Sequence, residues 1–147
     1  MRRAFFPMLC VALVLTACGG AADLTVAVPP NSKVVETTGA STVDTLITSW
    51  RNTVPASMTE RGIKAESLEQ KVYTTTDSLE AVQAYYEAKF KDQNGWTRSM
   101  RSPGLDAAQG ILIEGYEHSG TSMVVGAIDA SKYGGSGVVI YTATGHK

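Results

Sequence analysis

From residue 96 onward the chain reads as one strand-length segment after another, cut by turn chemistry, and that pattern leaves room for little except an antiparallel sheet. Segments 96–100, 111–118, 122–129 and 137–142 are rich in Ile, Val, Tyr and Trp. Between them lie Ser102-Pro103-Gly104, Ser119-Gly120 and Tyr133-Gly134-Gly135-Ser136, residues that supply the backbone angles of a reversal. Strands joined by such short links pair with their sequence neighbours in opposite directions.

The first half carries the helices. Val43, Leu46, Ile47 and Trp50 recur at helical spacing and predict a helix over 43–53, capped by Ser41 or Thr42 and ended by Pro55, with a second short helix over 55–61 stopped by Gly62. Asp77-Ser78-Leu79-Glu80 reads as a capping box, Asp77 accepting from exposed amides and Glu80 reaching back. The helix it starts runs to about Lys91, with Leu79, Val82, Tyr86 and Phe90 on one stripe, and Asn94-Gly95 stops it. Segments 33–37 and 67–75 are further strands. The expected class is α+β: a two-layer sandwich, mostly antiparallel sheet, with two helices on one face and the other face open to solvent or a partner.

The N-terminus has a different grammar. Arg2 and Arg3 precede an apolar run over 4–17, and small residues follow, as in an export signal. As a helix that run spans roughly 21 Å, short of the roughly 30 Å hydrocarbon core, and Pro7 interrupts it. An ordinary secretory cut before residue 18 wants a small third-last residue, where Leu15 stands. Leu15-Thr16-Ala17-Cys18 instead resembles the lipobox of bacterial lipoproteins, which accepts Leu there and requires the Cys. That resemblance implies cleavage after Ala17 and acylation of Cys18. The expected domains are a removed signal peptide at 1–17, a lipid anchor and tether at 18–30, and a single α+β domain at 31–147. Segment 73–96, with its Thr-Thr-Asp-Ser cap, paired Tyr85-Tyr86 and Gly95-Trp96 stop, also resembles small uncharacterised bacterial lipoproteins, a resemblance that implies no activity.

Processing at Cys18 rewrites the inventory. Cys10 leaves with the signal and Cys18 becomes a thioether, so both of the 2 cysteines are spent and neither disulfide nor thiol chemistry is expected. The formal charge of -1 falls by two with Arg2 and Arg3. At that charge, with no Lys/Arg cluster, a nucleic-acid partner is not expected, and membrane attachment rests on the acyl chains. The location implied is exported, on the outer face of a bacterial membrane, close to the bilayer because the tether is short.

Candidate chemistry is sparse. Glu114 and His118 share a strand face, with Glu117 on the other, but two ligands are too few for a closed zinc site, so a polar strand end is the simpler reading. His146 lies beside the C-terminus, where chains fray. Gly134-Gly135-Ser136-Gly137 lacks the Lys and hydroxyl of a phosphate loop and precedes a strand, which suits a hairpin loop better. Thr74-Thr75-Thr76 lack a base nearby and fit a strand end. Tyr133, at an expected loop tip, and His118 are the candidates for surface contact. No catalytic residue, metal or cofactor is expected. The leading expectation is a non-enzymatic, lipid-anchored binding or assembly module of the envelope with a protein partner. The alternatives are a small-ligand capture module serving a transporter, and a hydrolase or metal enzyme around His118.

Overall fold

The computed structural model describes residues 27–90, 95–99 and 102–147. Along the chain come β1 (Lys33–Val34), α1 (Ser41–Glu60), β2 (Glu69–Thr75), α2 (Leu79–Phe90), β3 (Thr97–Arg98), β4 (Gly104–Asp106), β5 (Ile111–His118), β6 (Thr121–Asp129) and β7 (Val138–His146). The strands form one seven-stranded sheet in the order β1-β2-β7-β6-β5-β3, with β4 also on β5. Every pairing is antiparallel. The α+β class and the antiparallel sheet therefore hold.

The layering differs from the expected two-layer sandwich. The helices lie on opposite faces of the sheet, and strand parity shows it. On β7, Val138 and Ile140 pack with Leu79, Val82, Tyr86 and Phe90 of α2, whereas Val139, Tyr141 and Ala143 pack with Val43, Ile47 and Met58 of α1. Alternate residues point to opposite faces, so two separate cores make three layers. The reason is the central strands: β7 is buried from Val138 to Gly145, and a strand so apolar on both sides needs a cover on each. At Gly126 in β6 an added Cβ would overlap the Trp50 ring, so a missing side chain lets α1 settle onto the sheet.

Helix α1 also overrides its proline. Rather than ending at Pro55, it continues to Glu60 as one element. Proline in a helix interior removes a hydrogen bond at a cost of about 3 kcal/mol. Here Val54 and Met58 carry the apolar stripe of Val43, Ile47 and Trp50 past it, and their burial against the sheet outweighs the break. Gly62 terminates the helix with φ +86°, as expected.

Both caps shift. Helix α2 starts one residue later than the capping box placed it: Ser78 Oγ accepts from the Ala81 amide, while Asp77 accepts from Asn31 Nδ2. Helix α1 starts at Ser41, with Ala40 in the cap position and no side-chain cap. Asp44 reaches back instead, accepting from the Thr38 amide and hydroxyl, each at 2.8 Å.

That last arrangement makes a pH prediction. The Thr38 amide first, then its hydroxyl, hold the Asp44 carboxyl below its ordinary value, against a smaller opposing effect of burial. A carboxyl depressed in the folded state stabilises above its unfolded value and loses that contribution as pH falls through the folded one. Asp44→Asn is therefore expected to lower the urea midpoint at neutral pH. The gap to the parent protein should close below about pH 4. A gap independent of pH would show that the carboxylate is not the stabilising group.

Ala27 and Val28 pack against the α2-side core. The removed signal, Cys18 and the first part of the tether lie outside the described residues. No described helix is long and apolar enough to cross a membrane.

Candidate functional site

Register decides where the candidate residues go. Glu114 and His118 do share the α2 face of β5, as their spacing requires, but Tyr116 stands between them. At 3.3 Å per residue they are roughly 13 Å apart along the strand, too far to hold one ion. Among the described residues no group of three His, Cys, Asp or Glu side chains converges.

Glu114 is fully buried, which the reading of a polar strand end did not anticipate. Tyr116 donates its hydroxyl to Oε2, and Nη2 of Arg98 lies 3.1 Å from Oε1. Oε1 accepts no hydrogen bond, so the Arg98 pairing is chiefly Coulombic. Burial, then the hydrogen bond to Glu114, push the Tyr116 hydroxyl far above its ordinary value, so it keeps its proton and remains the donor. Phe90 packs over Tyr116 with ring centroids 5.1 Å apart. The carboxylate has no exposed surface and is held by these groups. It is a structural ion pair that anchors β3 to β5.

His118 lies at the β5–β6 end of the sheet, its ring 5.4 Å from that of Trp96. It lines a cavity of about 270 Å³ with Arg61, Thr97, Glu117 and Lys147. Glu117 points to the α1 face, so the hollow wraps around the strand ends rather than converging on the imidazole. His146 does not fray: it is the last residue of β7, and Ser67 Oγ accepts from its amide at 2.9 Å. Tyr133 is not a free loop tip. It ends a short 3₁₀ turn, packs against the α1-side core and donates to the Gln109 carbonyl at 2.8 Å.

A larger hollow lies elsewhere, on the α1 face where β1 and β2 extend past the start of α1. This groove measures about 630 Å³. Its floor is Val35, Ala40, Ala130 and Val139, and its rim carries Lys33, Thr37, Thr74, Thr76 and Ser136. Cross-strand partners place Lys33 beside Thr74, and Thr74 beside Val139, in one row over three strands. The Gly-rich segment 134–137 is one wall. It links the 3₁₀ turn to β7, and at Gly137 (φ +68°) a Cβ would stand 2.5 Å from the Thr75 carbonyl. Only glycine fits so close to β2 with that backbone angle.

The hydroxyls of the groove divide by use. Thr38 is spent on Asp44, and Thr75 Oγ1 accepts from the Asp77 amide at 3.2 Å. Those of Thr37, Thr74, Thr76 and Ser136 have no described protein partner. Spacing could not reveal this site, because its residues come from 31–40, 74–76 and 130–139 and meet only through sheet register. The Thr74-Thr75-Thr76 and Gly134–Gly137 runs were visible as motifs, but not as neighbours. Compared with protein-family models, curated proteins and solved structures, the chain matches none.

Proposed function

We propose that this chain is a lipid-anchored, non-enzymatic binding module of the bacterial envelope, held to the outer face of a membrane through Cys18 and taking a small ligand in the groove beside α1. The groove is the observation that carries this reading. Its volume of about 630 Å³ falls within the range of ligand sites, roughly 300–1,000 Å³. It joins an apolar floor to unengaged hydroxyls, and it holds no acid-base pair that would make it catalytic.

The sheet face once expected to receive a protein partner is covered by a helix, which favours a small-ligand capture role over a broad assembly surface. A hydrolase or metal enzyme around His118 loses its second group, because Glu114 is sealed against Tyr116 and Arg98.

The test is a photo-crosslinking residue at Ser136 in the full chain, irradiated in intact cells and read by intact mass. The same residue at Glu80, exposed on α2, is the control. A small-molecule adduct at position 136 and none at position 80 is the expected result. Equal labelling at both positions, or no adduct at either, rejects the binding role of the groove.

A further inference from the structure

We infer that the groove beside α1 recognises a small polyol phosphate, with Lys33 meeting the phosphate and the free Thr and Ser hydroxyls meeting the polyol. This rests on the proposed binding role and adds the chemical class. The first support is charge. No Asp or Glu lines the groove, and Lys33 is its single ionic side chain. The described ion pair is Arg98 with Glu114, so Lys33 has no carboxylate within bridging distance among the described residues. An acid-free hollow with one unpaired cation favours an anion locally. A lone ammonium is a compact point charge with three rotatable donors, able to meet a phosphate oxygen.

The second support is the arrangement of hydroxyls. Each can donate and accept, as can each hydroxyl of a polyol. Thr74 lies directly opposite Lys33 in the register, so phosphate and first hydroxyl contacts fall side by side. Across the groove, Ser136 and Gly137 form part of the opposite wall. Asp44 and Asp77 do not line the groove and are hydrogen-bonded to Thr38 and Asn31. Val35, Val139, Ala40 and Ala130 leave a floor with no aromatic platform, which fits a flexible polyol chain better than a stacked sugar ring or base.

The experiment is calorimetric titration of the mature, acylated full-length protein in detergent with glycerol phosphate, inorganic phosphate and glycerol. Glycerol phosphate should bind more tightly than phosphate, and glycerol should give no measurable heat. Lys33→Met should weaken glycerol phosphate binding about tenfold or more, the loss of one charge-assisted contact. Thr74→Val should weaken it less, and Glu80→Gln not at all. Unchanged urea midpoints would confirm that these surface variants fold. No heat from glycerol phosphate, or binding indifferent to Lys33→Met, overturns the ligand class. If the Ser136 crosslinker still captures an uncharged small molecule, the binding role survives and only the class falls. If it captures nothing, both fall.

Discussion

Arg98→Ala is expected to destabilise the fold by about 3 kcal/mol, far more than an ordinary surface substitution at within about 0.5 kcal/mol. Glu114 has no exposure at all, and Arg98 supplies the positive charge 3.1 Å from an oxygen that accepts no hydrogen bond. Removing one member of a buried pair leaves an uncompensated charge, at about 3–5 kcal/mol. The Arg98 side chain is 40 % exposed, so solvent screening places the effect at the lower end. Glu114→Gln should cost less, because a neutral amide still accepts from Tyr116 and the orphaned guanidinium can hydrate. Urea unfolding of both variants checks the order. An Arg98→Ala loss near zero, or smaller than that of Glu114→Gln, would show that Glu114 is not held as a charged, Arg98-paired group.

Cys18→Ala, placed behind an ordinary secretory signal so that residues 1–17 are still removed, is expected to abolish membrane attachment almost completely. Each buried methylene of an acyl chain contributes about 0.8 kcal/mol, so two or three chains leave a negligible free fraction, and losing them leaves nothing comparable. The formal charge after processing is mildly negative, and among the described residues no helix could span a bilayer instead. Fractionation with intact-mass analysis of the N-terminus reads both halves of the expectation. A variant that remains membrane-bound without an acyl mass overturns the anchor, and with it the proposed location.

Much of the fold is legible in local pattern. The stripe of Leu79, Val82, Tyr86 and Phe90 is buried as its spacing requires, and β5 alternates around Leu112, Glu114 and Tyr116. The 96–100 strand is present as β3, whereas β4 was not anticipated because Pro103 and Gly104 carry turn chemistry, although Gly104–Asp106 pairs with β5. One signal of the third layer was present all along. Residues 138–143 form an almost unbroken apolar run, the mark of a strand covered on both faces rather than of an edge. Glu114 carried a comparable signal, a carboxylate between Leu112 and Tyr116 on an inward face, but its partner Arg98 is brought to it only by β3–β5 pairing.

By itself, then, the amino-acid sequence determined what depends on neighbours along the chain: strand and helix periods, antiparallel hairpins, glycine stops, and the Leu15–Cys18 motif with its expected lipidation. The tertiary structure alone decided what depends on residues far apart meeting. It placed α1 and α2 on opposite faces, carried a helix through Pro55, sealed Glu114 and assembled the groove from three distant segments. The physical reason is that periodicity fixes which side of a strand a residue occupies, whereas what covers that side is set by the free energy of burying both faces at once.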